Sequence, residues 1–285
     1  RKESSAASDV YKRQRGNNRL LMTEGYEFIS LDVTNQEEVN VVISTQKPDY
    51  VIHTAAMTNV DECETNKEGC DKLNVDAVQF LAKACEDNNV FFLHLSTDFI
   101  FDGENGPYRE EDKPNPISYY GDSKLKAENL VEASTGKWAI ARTVLVYGIT
   151  EGMSRSNIVL WVKKSIEEQK QLQIVNDQLR SPTLAEDLAM GCYLIVKNEA
   201  EGIYNISGKD VLTPYQMAIK TADYFNLDKS YITETDGSKF QQTAKRPPKT
   251  GFIIDKAIND LGYQPHSFEE GIAILEKQVK DFESK

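Results

Sequence analysis

Apolar residues in the first half of the chain alternate between short runs and segments with helical spacing. Runs at residues 26–31, 50–53, 90–95 and 138–146 predict strands, and segments at 35–45 (with Thr34 as N-cap), 67–88 and 120–132 predict helices. Apolar strands that alternate with helices are typical of a parallel sheet covered on both faces. The pattern therefore predicts an α/β fold with a doubly wound, Rossmann-type parallel sheet.

The pattern changes from Gly148 onward. The predicted elements there are a helix at 156–168, a strand at 172–175, a helix at 184–196, a strand at 203–206 and a helix that starts at Pro214 with Thr213 as its cap. We interpret residues 26–148 as the main sheet domain and 149–285 as a smaller, substrate-binding lobe whose strands partly rejoin the sheet. Residues 1–25 are predicted to be a disordered leader outside the domain.

Composition and charge exclude several classes of function. The 285 residues carry a net charge of −12, whereas a protein that binds nucleic acid needs a basic face. No apolar run is long enough to span a bilayer. The four cysteines and three histidines are irregularly spaced, without a Cys-x-x-Cys or His-x-x-x-His pattern. We therefore expect a cytoplasmic protein with reduced thiols, no metal site, and no nucleic-acid or membrane partner.

Candidate chemistry follows the predicted strands, where a doubly wound sheet binds its ligands. Ser96, Thr97 and Asp98 come directly after the third strand and could orient a carbonyl substrate, although the same residue types favour turns and helix caps. Residues 53–61 follow the second strand with several small side chains, which would let the backbone approach a flat or phosphorylated ligand. A plain tight turn is an equal alternative for this segment.

Tyr120 and Lys124 lie four residues apart on a predicted helix, so the phenol and the amine share one face. A phenol has an ordinary pKa of roughly 10, and a nearby ammonium is expected to lower it towards neutral pH. The spacing alone is weak, because Tyr193 and Lys197 repeat it on an apolar helix. The position of Tyr120, after the Ser-Thr-Asp strand, distinguishes the first pair.

Together these segments resemble the extended short-chain dehydrogenase/reductase family, and within it the dTDP-4-dehydrorhamnose reductase branch. The resembling stretches are 53–61, 95–103 and 119–124, continued by Arg142-Thr143, Tyr147-Gly148, Asp177-Gln178, Ser181-Pro182-Thr183, Asp187-Leu188-Ala189 and Arg246-Pro247. Motifs that agree in this order are more specific than any one of them. The resemblance covers about residues 26–274 and implies a dinucleotide-binding domain at 26–148.

The resemblance implies a reaction and a set of site residues. The family reduces the keto group of a nucleotide sugar with NADP(H) or NAD(H), and Thr97, Tyr120 and Lys124 match its catalytic residues. Residues that match the cofactor contacts are Asp32, Val33, Ala55, Ala56, Met57, Thr58, Tyr120 and Lys124. Residues that match the substrate contacts are Thr58, Val60, Thr97 and Asp98. A homodimer formed through the helices at 67–88 and 120–132 is also implied.

Two departures from the family pattern change these expectations. The family begins with a strand and a Gly-x-x-Gly-x-x-Gly turn that seats the pyrophosphate at a helix N-terminus, and this sequence lacks that pattern. We therefore expect the first βαβ unit to be missing and cofactor binding to be weak or absent, which leaves open whether this chain is active. In addition, Leu145 stands where the branch commonly has a tryptophan on the substrate side.

Two alternatives remain open beside the reductase. The regulatory subunit of methionine adenosyltransferase resembles the same branch and acts by binding a partner, so the chain could be a binding module. A nucleotide-sugar epimerase or dehydratase of the same superfamily is the other alternative. Dehydratases usually add acidic residues beside the threonine and tyrosine, and this sequence has only Asp98 there.

Overall fold

Ten strands and ten α-helices make up the part of the chain that the computed structural model describes, residues 10–12, 25–149, 157–239 and 243–283. The strands are β1 (Val10–Lys12), β2 (Tyr26–Phe28), β3 (Tyr50–His53), β4 (Phe91–Thr97), β5 (Trp138–Thr143), β6 (Val146–Tyr147), β7 (Leu172–Val175), β8 (Thr183–Leu184), β9 (Gly202–Asn205) and β10 (Ile232–Thr235). The helices are α1 (Gln36–Gln46), α2 (Val60–Thr65), α3 (Lys67–Asp71), α4 (Ala77–Asp87), α5 (Tyr119–Glu132), α6 (Ile158–Glu167), α7 (Ala185–Lys197), α8 (Pro214–Tyr224), α9 (Asp255–Leu261) and α10 (Phe268–Glu283).

Four parallel strands form the central sheet, in the order β3-β4-β5-β9. The register places His53 opposite His94 and Leu95 opposite Ala141. All but one of the residues of β4 are buried, as expected for a strand between two layers of helices. The predicted α/β fold with a parallel sheet is confirmed, and β9, which follows residue 149 in the chain, pairs with β5 at one edge.

Apolar side chains pack on both faces of this sheet. On one face, Phe92 shares a core cluster with Leu81 of α4 and Val131 of α5. On the other face, Leu93 shares a cluster with Ile195 of α7. Successive residues of a strand point to opposite faces, so a strand covered on both sides must be apolar throughout. Each such fully buried side chain contributes about 1.5–3 kcal/mol of hydrophobic free energy.

Three further strand pairs lie outside the central sheet, β1 with β2, β6 with β8 and β7 with β10. Val162 of α6, Ile174 of β7 and Ala218 of α8 belong to a separate core cluster. Helix α8 begins where the sequence predicts. Thr213 and Gln216 form a capping box, and Pro214 occupies the first turn.

The N-cap of α1 is Asn35, and the prediction of Thr34 is wrong. The Asn35 side chain accepts hydrogen bonds from the backbone N–H groups of Glu37 and Glu38. The Thr34 hydroxyl instead donates to the Asp32 carboxylate at 2.7 Å. Both residue types favour this position, so only the backbone geometry decides between them.

Two predicted elements are interrupted in the structure. The helix expected at 67–88 is divided into α3 and α4 by a π-helical turn at Lys72–Asp76. The strand expected at 138–146 ends at Thr143, because Leu145 adopts a left-handed conformation with a φ of 37°. A left-handed φ is costly for leucine and stops regular strand geometry.

The described part of the predicted leader, residues 10–12 and Gly25, contains one strand. Val10–Lys12 form β1, which pairs in parallel with β2. The remainder of the leader up to residue 24 lies outside the described residues, as does Ser156, the predicted start of α6. Within the described ranges, no helix combines the length and apolarity that a bilayer span requires.

Candidate active site

Tyr120 lies in the first turn of α5, beside the end of β4. The helix begins after Ser118, whose hydroxyl oxygen accepts a hydrogen bond from the Gly121 N–H at 3.2 Å. A Cβ atom added at Gly121 would lie 2.1 Å from the carbonyl oxygen of Phe99. The glycine therefore allows the first turn of α5 to approach the segment after β4, which brings Tyr120 to Thr97.

Lys124 lies one turn further along the same face of α5 and is only 3% exposed. Its Nζ atom donates to the carbonyl oxygen of Leu95 at 2.7 Å and lies 3.0 Å from Nε2 of His94. Burial disfavours the ammonium and lowers its pKa to about 8, although Glu128 acts in the opposite direction. Lys124 is therefore an amine whose charge can change close to neutral pH.

The ring of Tyr120 is 9% exposed and packs edge-on against Phe99, with ring centroids 5.7 Å apart. Burial raises the pKa of the phenol above its ordinary value, and the neighbouring Thr97 hydroxyl partly offsets this effect. The expected lowering of this pKa is not found in this structure, because burial outweighs the Thr97 hydrogen bond that acts to lower it. Tyr120 therefore keeps its proton at neutral pH, as a proton donor must.

Thr97 is linked to a buried carboxylate. Its hydroxyl donates to Asp98 at 3.0 Å, and the hydroxyl of Thr250 donates to the other oxygen of the same carboxylate. Burial raises the pKa of Asp98, while the charge of Arg180 acts to lower it. Both carboxylate oxygens are thus engaged within the protein. The Thr250 contact joins this end of β4 to a segment 152 residues further along the chain.

Asn74 connects two of the predicted site segments, and sequence analysis missed it. Its side chain accepts from the Met57 N–H at 2.7 Å and donates to the Met57 carbonyl at 3.1 Å. It also donates to the Ser123 hydroxyl at 3.1 Å, and Ser123 donates to the Tyr120 carbonyl at 2.8 Å. Asn74 lies in the π-helical turn, and such turns are frequent at functional sites. No pattern in the sequence indicates that turn.

Most of the remaining predicted contact residues form an open shelf after β3. Thr54, Ala55 and Thr58 are exposed there, and Ala56, Met57 and Val60 are partly buried. The side chains at 54–56 are small, so the shelf leaves the backbone accessible to a flat ligand. The shelf lies next to Tyr120 in the structure, since Met57, Val60 and Tyr120 share one apolar cluster.

Asp32 and Val33 follow β2 and are partly buried. The Asp32 carboxylate accepts from the backbone N–H of Thr34 at 3.0 Å as well as from its hydroxyl. This is a side-chain turn that leads into α1. Asp32 thus stabilises the turn that precedes α1.

A second link between distant segments lies at the start of α2. The Arg246 guanidinium is 2.7 Å from the Asp61 carboxylate, which also accepts from the Ala244 N–H at 2.9 Å. These hydrogen bonds hold the pKa of Asp61 below its ordinary value. The ion pair brings the segment after residue 243 against the shelf. Partners so far apart along the chain leave no periodic signal in a sequence.

The side chains of the described residues do not form a metal-binding cluster. Within the described ranges, no group of three or more histidine, cysteine, aspartate or glutamate side chains is placed to hold a metal ion. What the structure brings together is a protonated phenol, a buried amine, a hydroxyl and an open shelf. This arrangement can hold a flat ligand and deliver a proton to an oxygen atom beside it.

Comparison with known proteins identifies a matching family and several similar proteins. The family described as RmlD substrate binding domain matches residues 6–280. A probable low-salt glycan biosynthesis reductase of Haloferax volcanii is 29% identical over 256 residues, 89% of this chain and 85% of the relative. The methionine adenosyltransferase 2 subunit beta of Bos taurus is 31% identical over 233 residues, 78% of this chain and 70% of the relative.

Among solved structures, the dTDP-4-dehydrorhamnose reductase of Bacillus anthracis, in complex with NADP, is similar with a TM-score of 0.81. It is 27% identical, and the match covers 90% of this chain and 92% of that chain. These matches confirm the resemblance to sugar-nucleotide reductases that the motifs indicated. Since the family match extends over nearly the whole sequence, this chain belongs to the RmlD substrate binding domain family.

Proposed function

We propose that this chain is an NAD(P)H-dependent reductase that acts on the keto group of a nucleotide sugar, similar to dTDP-4-dehydrorhamnose reductase. The observation that carries the proposal is the buried pair Tyr120 and Lys124 on one face of α5, beside the Thr97 hydroxyl. A phenol that is buried and protonated, next to an open shelf, is suited to protonate a substrate oxygen.

Each of the three residues has a proposed role. Tyr120 donates its proton to the carbonyl oxygen as the carbonyl carbon is reduced. Thr97, which adjoins both Tyr120 and Asp98, orients the phenol and the substrate oxygen. Lys124 holds a positive charge beneath the site when its amine is protonated, which stabilises negative charge that develops on oxygen.

The described residues fit the nicotinamide and ribose end of NADP(H) or NAD(H). The ammonium of Lys124 has three N–H groups, and the bonds to Leu95 and His94 account for two of them. The third can donate to a ribose hydroxyl. Residues proposed to contact the nucleotide are Asp32, Val33, Ala55, Ala56, Met57 and Thr58, besides Tyr120 and Lys124. When bound, the nucleotide supplies the hydride.

The substrate side is proposed to include Thr58, Val60, Thr97 and Asp98. Asp98 would act there through Thr97, since both of its carboxylate oxygens already accept hydroxyl hydrogens. Leu145 follows β5 with 43% of its surface exposed, in the position where related reductases commonly carry an aromatic ring. The proposed substrates are therefore nucleotide-linked keto sugars as a class.

The test is consumption of NADPH in the presence of dTDP-4-dehydrorhamnose and related nucleotide-linked keto sugars, at NADPH concentrations that saturate binding. We expect substrate-dependent consumption that is lost in Tyr120→Phe, while NADPH binding by titration is retained. No consumption with any of these sugars, or equal consumption by Tyr120→Phe, would contradict the proposal.

A second candidate function is supported by the bovine relative, which is named as a subunit of methionine adenosyltransferase. In this alternative the chain acts by binding a partner enzyme, and Tyr120 is not needed for its effect. Measuring methionine adenosyltransferase activity with and without this chain separates the two. An effect that Tyr120→Phe preserves, without NADPH consumption, favours the binding module.

A further inference from the structure

His94 contacts Lys124, and the proposed reaction gives it no role. It lies in the middle of β4, and its Nε2 atom is 3.0 Å from the Lys124 Nζ atom. The neighbouring residue Leu95 contributes the other bond through its carbonyl oxygen. One strand thus supplies both hydrogen-bond partners that the structure gives to this amine.

The surroundings of His94 provide little other use for an imidazole. The residue is completely buried, with its ring stacked on His53 at 5.6 Å and on Phe92 at 6.4 Å between centroids. Its Nδ1 atom has no hydrogen-bond partner within the described residues. A buried polar atom without a partner is unfavourable, and a phenylalanine would fill the same space without that cost. The contact with Lys124 is therefore what distinguishes His94 from an apolar residue.

We propose that His94 is a positioning residue, whose Nε2 atom accepts a hydrogen bond from Lys124 and fixes its ammonium on the face of α5 that carries Tyr120. The imidazole is then neutral with its proton on Nδ1, the tautomer that leaves Nε2 free to accept. This inference rests on the proposed reductase function, which supplies the reason for placing an ammonium there.

The charged and titratable groups around Lys124 determine the direction of the effect. Glu128 from α5 and Cys70 from α3 both favour the ammonium, and burial opposes it, with a resulting pKa of about 8. His53 lies behind His94, and Tyr120 lies on the same helix face. Removal of an acceptor disfavours the charged amine further. Loss of the His94 acceptor is thus expected to lower the pKa of Lys124.

Three substitutions at His94 and one control test the inference through the reductase assay. His94→Phe keeps the ring without an acceptor, His94→Gln places an acceptor at the distance of Nε2, and His94→Asn carries one that is too short to reach. The control is His53→Phe, which alters the stacked neighbour of His94 and removes no hydrogen bond to a proposed site residue.

We expect kcat/KM to fall about ten- to hundredfold in His94→Phe and His94→Asn, since a hydrogen bond to a charged group is lost. The alkaline limb of the pH profile should move to lower pH in both. His94→Gln should recover most of the activity, and His53→Phe should remain within about twofold of the unchanged chain. Equal activity of His94→Phe and His94→Gln would overturn the proposal.

Nitrogen NMR of the histidine rings tests the contact without any reductase activity. In the unliganded chain we expect one ring, absent from the spectrum of His94→Gln, to carry its proton on Nδ1 and to shift at Nε2 in Lys124→Met. A protonated Nε2, or an unchanged shift in Lys124→Met, would overturn the proposal. If the chain consumes no NADPH but the shift is seen, the reductase function fails while the contact stands.

Discussion

Two tyrosine–lysine pairs with the same spacing occupy opposite environments in this protein. Tyr120 and Lys124 on α5 are 9% and 3% exposed, whereas Tyr193 on α7 is 52% exposed, with Lys197 over its ring at 5.6 Å. Helix α7 turns its apolar face, with Ile195, to the sheet and leaves the pair outside. Helix α5 instead carries its tyrosine–lysine pair on the buried face, against the end of β4.

The difference shows that spacing supplies a shared helix face and nothing more. On α7 the ammonium rests on an aromatic ring in water, an interaction worth about 0.5–1 kcal/mol. On α5 burial shifts the pKa of both groups, downwards for Lys124 and upwards for Tyr120. Shifted groups of this kind are concentrated at functional sites. Four predictions test the contrast, from the largest effect to the smallest.

The largest contrast is expected between the two tyrosines. Tyr120→Phe removes the proposed proton donor and should reduce kcat for keto-sugar reduction by about 10²–10⁴-fold. Tyr193→Phe removes only an exposed hydroxyl and should leave kcat within about twofold. Steady-state kinetics of both variants at saturating NADPH make the comparison. Similar losses in the two variants would remove the distinction between the helices.

Two ion pairs in this protein also differ in being buried or exposed. Glu128 on α5 is paired with Arg142 at 2.7 Å, with side-chain exposures of 0% and 2%, whereas Glu199 and Lys137, also 2.7 Å apart, are about half exposed. Glu128→Gln leaves a buried guanidinium without its counter-charge and should lower the free energy of unfolding by about 3–5 kcal/mol. Glu199→Gln should cost less than about 1 kcal/mol. Urea unfolding of both variants would detect the difference, and equal losses would contradict it.

Substitution of Lys124 and substitution of Lys197 should have different effects on the pH dependence of the free energy of unfolding. The pKa of Lys124 falls from 10.5 to about 8 on folding, so between these pH values the unfolded chain binds more protons than the folded one. The free energy of unfolding therefore gains about 2–3 kcal/mol from this group as pH rises from 8 to 10.5. Lys124→Met should abolish that gain, and Lys197→Met should preserve it. Unfolding curves across this pH range provide the measurement.

The smallest effect is expected behind the site, at His53. Burial lowers its pKa from 6.5 to about 3, so the folded chain resists protonation that the unfolded chain accepts. Stability from this group is present above pH 6.5 and falls as pH decreases, by about 2 kcal/mol at pH 5. His53→Phe should reduce the difference in stability between pH 8 and pH 5 by that amount. An unchanged difference would mean that His53 is protonated in the folded state.

Much of the fold could be predicted from the sequence, because burial on two faces requires continuous apolar strands. Strands β3 and β4 and helix α5 lie within a few residues of their predicted positions. The failures are local. Thr34 and Asn35 are both of types that favour the N-cap, the π-helical turn around Asn74 has no pattern of its own, and Leu145 ends β5 through its φ angle.

The sequence by itself determined the parallel sheet, the order of its motifs, and the shared face of Tyr120 and Lys124, because periodicity and spacing are properties of neighbouring residues. The tertiary structure alone decided that this pair is buried while Tyr193 and Lys197 are not. It also decided that Lys124 meets His94, that Asn74 ties Met57 to α5, and that Thr250 reaches Asp98. These contacts join residues far apart along the chain, and the burial that shifts their pKa values exists only once the helices have packed on the sheet.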